Sequence, residues 1–164
     1  RIFLFPPKRF PFFKNMLKRR LIRTLRLKAN GIILVFCYRR NEVDVLVKEL
    51  NELGFNVLGC KGGEVGSFLE QFYKVKDLHC ICTTSALSHG VNLGTVRGIF
   101  FTYPVKNKDL WFQMVGRGGR TGEDFEVFGF NSFLGKQNSF LYFVRAIVMD
   151  LFIFLLAFAR VRKR

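Results

Sequence analysis

Nowhere in the 164 residues is there a Gly-x-x-x-x-Gly-Lys-Ser/Thr loop, the turn whose backbone amides cradle a nucleotide's phosphates. The nearest string, Gly129 to Gln137, contains Gly135-Lys136 but has one residue too many between its glycines. It ends on Gln137, where Ser or Thr would hold magnesium. Such a chain is not expected to hydrolyse a nucleotide by itself. Zinc ligation is excluded on similar grounds. Cys37, Cys60, Cys80 and Cys82 show no Cys-x-x-Cys spacing, no histidine pair lies near them, and no metal site is expected. Cys37, Cys80 and Cys82 stand in apolar, strand-like runs where buried free thiols are usual, so reduced cysteines and a cytoplasmic protein are expected. The first 28 residues lack the apolar run of a secretory signal, and the chain opens on Arg1, which reads as a piece of a longer protein.

Acidic residues are scarce as well, 12 against 27 Lys and Arg, for a net charge of +15. The imbalance is not uniform. Residues 1 to 28 carry ten basic residues and no acid, Arg160 to Arg164 carry four more, and the span between has thirteen basic against twelve acidic. The excess therefore sits on two ends able to meet phosphate or lipid. A central domain this close to neutral would bind nucleic acid through particular loops instead of a broad positive field. A hydrophobic fraction of 49% argues against disorder and for one domain with a core.

Read in order, residues 1–14 mix Phe with Pro6, Pro7 and Pro11, a composition that resists regular helix and reads as a linker. From Asn15 to Lys28 the apolar positions Leu17, Leu21, Ile22 and Leu25 recur with helical period beside a basic face, predicting a helix that covers one edge of the domain. Gly31 to Cys37 is a continuous apolar run, as in a strand of a parallel sheet buried on both faces. Asn41 is read as the cap of a helix with the stripe Val43, Leu46, Val47, Leu50 and Leu53, ended by Gly54. Phe55 to Leu58, Leu78 to Cys82, Val96 to Tyr103 and Phe125 to Phe130 read as further strands, and Ser67 to Tyr73 as a short helix. Alternating strands and helices predict an α/β fold with a doubly wound parallel sheet, whose carboxyl-end loops hold ligands.

Those loops carry the polar clusters. After Cys82 comes Thr83-Thr84-Ser85-Ala86-Leu87-Ser88-His89-Gly90-Val91-Asn92, where hydroxyls can donate to a phosphate backbone and Gly90 lets the chain approach closely. Asn92 has the chemistry to bond a ribose or a neighbouring arginine. His89, with no carboxylate or nucleophile patterned around it, reads as a surface histidine. Further on, Gln113-Met114-Val115-Gly116-Arg117-Gly118-Gly119-Arg120 spaces two arginines three positions apart, each preceded by glycine. Guanidinium is planar, permanently charged and matched to phosphate oxygens, so the pattern suits an arginine finger. A solvated glycine-rich basic turn has the same sequence, and the stretch alone does not choose between them.

In order and spacing, three blocks resemble motifs of the second RecA-like domain of superfamily 2 helicases. Gly31 to Cys37 looks like motif IV, Thr83 to Asn92 like motif V, and Gln113 to Arg120 like motif VI. The resemblance covers residues 15–131, and Thr84 to Asn92 with Val96-Arg97 after it is similar to the RecQ-like and Ski-type branches. It implies a RecA-like fold in which Arg117 and Arg120 contact the γ-phosphate of ATP held with Mg²⁺ by another RecA-like domain, upstream or separate. It further implies that Gln113, Gly116, Gly90 and Asn92 couple nucleotide to strand, and that Thr84, Ser85 and Arg39 meet DNA or RNA. No Asp-Glu-x-x box occurs, and the loop after Leu58 lacks the histidine-glycine usual in the RecQ-like branch.

Residues 132–164 are apolar from Phe140 to Ala159 and basic thereafter, and are read as an extra carboxyl-terminal hydrophobic helix with a basic tail. Within it Arg145 and Asp150 each cost about 2.5 to 3.5 kcal/mol at a membrane centre, while about a dozen strongly apolar residues return about 0.3 to 0.6 each. A helix packed on protein is therefore favoured over a membrane span. The whole chain reads as the carboxyl-terminal motor half of a helicase or translocase. The alternatives are a degenerate RecA-like module that binds nucleic acid or protein with no ATP cycle, and a membrane-associated basic protein supported by the tail alone.

Overall fold

The run Ile32–Phe36 forms a strand with all five residues buried, because its two faces meet two different layers. Ile33 and Val35 pack among residues of the helices on one side, and Leu34 and Phe36 among those on the other. Alternation of side chains across the pleat makes an unbroken apolar run compatible with a strand only when both faces are covered. The computed structural model describes residues 1–5, 11–27, 30–88, 90–120 and 122–130. The expectations for His89 and for the hydrophobic helix within 132–164 lie outside them.

The elements are β1 (Ile2–Phe5), α1 (Pro11–Arg26), β2 (Ile32–Phe36), α2 (Arg40–Glu52), β3 (Val57–Cys60), α3 (Val65–Phe72), β4 (Cys80–Thr83), a 3-10 turn at Ser85–Ser88, β5 (Val96–Phe101), α4 (Lys108–Val115) and β6 (Glu126–Phe130). The strands form one six-stranded sheet in the order β1-β6-β5-β2-β4-β3. Every pairing is parallel. All strands therefore end on the same edge, where the segments after β2 and β4 carry Arg39, Thr84 and Ser85, while Gln113 and the arginine pair lie on and just after α4. Leu17, Leu21 and Leu25 of α1 and Val43 and Leu50 of α2 are buried on one face, Phe68 of α3 and Met114 of α4 on the other.

Two local expectations need correction. Residues 1–14 are not a plain linker: Ile2–Phe5 is a strand in register with Val127–Phe130, and α1 already begins at Pro11. Proline lacks only a donor that the first helical position does not use, and the Phe3 ring stacks on Phe128 at 4.9 Å, which gives the edge strand apolar contact. The cap of α2 is also not Asn41. The helix is entered through Arg39, and Glu42 Oε2 accepts from the backbone N–H groups of Tyr38 (3.0 Å) and Arg39 (3.3 Å). Its far end is as expected: Gly54 takes φ 84°, and the N–H groups of Gly54 and Phe55 donate to the carbonyls of Asn51 and Leu50.

Candidate nucleotide and strand interface

Two segments meet. The first leaves β4: Thr83 Oγ1 donates to its neighbour's carbonyl at 3.0 Å, and the 3-10 turn is tied by Ser88 Oγ donating to the Ser85 carbonyl at 2.7 Å. The second is prepared by α4, where Asn107 Oδ1 accepts from the Leu110 N–H at 2.9 Å and buried Met114 anchors the helix. The helix ends at Val115, and the arginine pair follows directly.

The two arginines differ in environment. Arg117 is 2% exposed: its Nε donates to the Ser88 carbonyl at 3.2 Å, Nη1 donates to the Val91 carbonyl, and Nη2 is buried with no partner. Arg120 is exposed, with Nε donating to the Gly116 carbonyl at 3.1 Å. Neither forms an ion pair with an acid among the described residues. Burial pulls the Arg117 pKa below its ordinary value, and the Arg120 charge adds to that. The pair thus comprises one guanidinium drawn into the protein and one presented to solvent.

The glycines serve a purpose the sequence did not disclose. A Cβ at Gly118 would lie 2.2 Å from Phe125 Cδ2, and one at Gly119, whose φ is 66°, would lie 2.9 Å from the same ring. The bare backbone receives Phe125, so on that side it admits a ring and not a phosphate.

The other predicted residues lie on α4, on the loop after β4 and at the entry of α2. Gln113 is exposed on α4, one turn before Arg117, and Gly116 is the helix cap. Gly90, exposed at φ 75°, and Asn92 follow the Ser88 loop, but Asn92 Oδ1 is used in accepting from the Gly94 N–H at 3.1 Å. The arginine partners are backbone carbonyls, not Asn92. Thr84 is half-buried, with its N–H donating to the Cys60 carbonyl at 3.2 Å, and Ser85 is exposed beside it. Arg39 is exposed at the entry of α2.

Sequence reading missed the carbonyls of Ser88 and Val91, which carry no residue-type signal, and Phe125, whose aromatic character is legible but whose target is not. Basic residues nearby are already neutralised: Arg40 Nη2 lies 2.7 Å from Glu64, and Lys61 Nζ lies 2.8 Å from Asp44. No group of three His, Cys, Asp or Glu among the described residues could hold a metal ion. A cavity of about 320 Å³ between α1 and α2, lined by Leu17, Leu21, Val45, Leu46 and Phe100, contains none of the predicted site residues.

Residues 16–122 match the helicase conserved C-terminal domain family, over more than half of the chain. Among curated proteins, the chain is 26% identical over 97 residues to DEAD-box ATP-dependent RNA helicase 24 of Oryza sativa subsp. japonica, covering 57% of this chain and 13% of that protein. It is 28% identical over 120 residues to ATP-dependent RNA helicase DHH1 of Kluyveromyces lactis, covering 69% of this chain and 23% of that one. The chain thus spans under a quarter of the length of either relative. The E. coli DEAD-box protein SrmB, solved bound to regulator of ribonuclease activity A, superposes with a TM-score of 0.64 at 18% identity, covering 79% of this chain and 75% of the solved chain. The fold is RecA-like, as expected. The expected leaning toward the RecQ-like and Ski-type branches is not supported, since DEAD-box proteins are the nearer relatives. Short motifs shared across a superfamily place a chain in it without separating its branches.

Proposed function

The chain belongs to the helicase conserved C-terminal domain family, and from that premise we propose that it is the carboxyl-terminal motor half of an ATP-dependent RNA helicase, working against a separate ATP-binding RecA-like domain. The observation that carries this reading is the division of labour between Arg117 and Arg120. A solvated basic turn would have no reason to bury one of its two guanidinium groups.

Bound ATP, with Mg²⁺ held by the partner domain, supplies the transferring phosphoryl group. Arg120 offers its solvent-facing Nη donors to that group's oxygens. Arg117 Nη2, buried and unpartnered, reaches the same anion once the side chain is drawn outward, whereas its Nε and Nη1 grip the loop after β4. Drawing Arg117 toward a phosphate strains or releases its hold on Ser88 and Val91, which passes domain closure to the loop that carries Thr84, Ser85 and Gly90. Those residues, with Arg39, face the sugar-phosphate strand, while Gln113, Gly116 and Asn92 flank the path between nucleotide and strand. Arginine fingers are worth about 10³ to 10⁵ in rate.

The test is RNA-stimulated ATPase turnover of this chain joined to its ATP-binding domain. Arg120→Ala is expected to lower turnover by orders of magnitude with ATP binding retained. Equal turnover in wild type and Arg120→Ala would overturn the reading in favour of a binding module without an ATP cycle.

A further inference from the structure

We propose that Tyr38, backed by Tyr103 and flanked by Arg39, is a stacking platform for an unpaired base of the bound strand, a contact that rests on the strand-binding reading above and adds base contact to it. From β2 the chain moves out to β3 and back to β4 on one side, then crosses to β5 on the other, so the winding reverses beside β2. Open parallel sheets take ligands at the carboxyl edge of that reversal.

Tyr38 and Tyr103 leave the sheet there. Phe36 and Phe101 are register partners at the ends of β2 and β5, and each tyrosine lies two residues further on. Their ring centroids are 5.3 Å apart with the planes tilted by 55°. Tyr103 is half-buried and holds one side of the pair, while Tyr38 is 66% exposed. The tilt supports the Tyr38 ring without covering it, leaving apolar ring surface in water at the rim where a strand would pass.

Charge at the same point differs from its surroundings. Arg40 and Lys61 are matched by Glu64 and Asp44, whereas the exposed guanidinium of Arg39 has no ion pair among the described residues. An aromatic face beside an uncompensated cation is the combination that binds single-stranded nucleic acid, the ring taking a base and the cation its phosphate. Other exposed rings are placed elsewhere: Tyr73 closes α3, and Phe112, with Lys108 over its ring, lies on α4 away from the reversal beside β2.

The experiment measures affinity of the full chain for two single-stranded RNA oligonucleotides of equal length, one with bases and one abasic throughout, for wild type, Tyr38→Ala and Tyr38→Phe. On the base-bearing strand Tyr38→Ala is expected to weaken binding by about 5- to 100-fold and Tyr38→Phe to retain it. On the abasic strand the three proteins are expected to bind alike. Unchanged affinity of Tyr38→Ala for the base-bearing strand, or an equal loss on both strands, overturns the platform and leaves the strand-binding reading standing. A loss of ATP affinity with strand affinity intact also overturns it, by assigning the ring to the nucleotide's adenine. If wild type binds neither strand, both readings fall.

Discussion

Arg117 reaches back across 29 residues to the carbonyl of Ser88, and this bond joins the loop after β4 to the end of α4 inside the protein. The two loops are consequently one structural unit, and a side chain suited to phosphate contact also holds the site together.

From this follows a stability prediction. Arg117→Ala leaves the Ser88 and Val91 carbonyls without their donor and is expected to cost about 1 to 3 kcal/mol. Arg117→Lys, whose ammonium cannot bridge two carbonyls from a planar fork, should recover less than half of that. Arg120→Ala, at an exposed position, should stay within about 0.5 kcal/mol of wild type. Urea denaturation of the three variants separates the inward arginine from the outward one.

Gly118→Ala is expected to cost about 1 to 3 kcal/mol, because the added methyl meets Phe125 at 2.2 Å. The cause is the ring, so Phe125→Leu should accommodate part of the methyl. In a double-mutant cycle the paired variant should be more stable than the sum of the two single losses, and strict additivity would exclude the ring as the cause.

Glu42→Ala removes the carboxylate that accepts from the backbone N–H groups of Tyr38 and Arg39. A loss of about 0.5 to 2 kcal/mol is expected, as for other helix entries, whereas Asn41→Ala should be nearly silent. Because Tyr38 is positioned through that same bond, Glu42→Ala should also speed amide exchange at Tyr38 and Arg39 before it affects the rest of α2.

Burial raises the Cys60 thiol to about 11 and pushes Cys37 further up. Folded-state values above the unfolded ones mean that the unfolded chain loses these protons first. Their contribution is therefore fully present below the ordinary thiol range and is lost as pH rises from there through about 11. Thermal midpoints should fall across that window, and Cys60→Ser should flatten part of the slope. All four thiols, buried in the fold, should react slowly with iodoacetamide at pH 8 until denaturant is added.

Much of this was legible because it is periodic. The heptad-like stripe of α2, the two-faced run of β2 and the closing Gly54 each follow from burial geometry, and together they order a parallel sheet. The arginine pair was legible through residue type and spacing. Its asymmetry was not, because the groups that hold Arg117 are carbonyls, which every residue has. The strand at Ile2–Phe5 was hidden by the prolines around it and depends on a partner more than 120 residues away. Tyr38 and Tyr103 are separated in sequence and become neighbours only through the register of β2 with β5.

That distant pairing has a consequence for the order in which the protein is made. Of the six described strands, Ile2–Phe5 leaves the ribosome first and its partner, Glu126–Phe130, leaves last. At about 5 to 20 residues per second, the early strand waits on the order of ten seconds with its backbone unpaired. Among these six strands, the earliest made is therefore the last whose partner exists. A chain released early would keep its central strands and carry an apolar edge with nothing to pair to, a natural target for chaperones and for self-association.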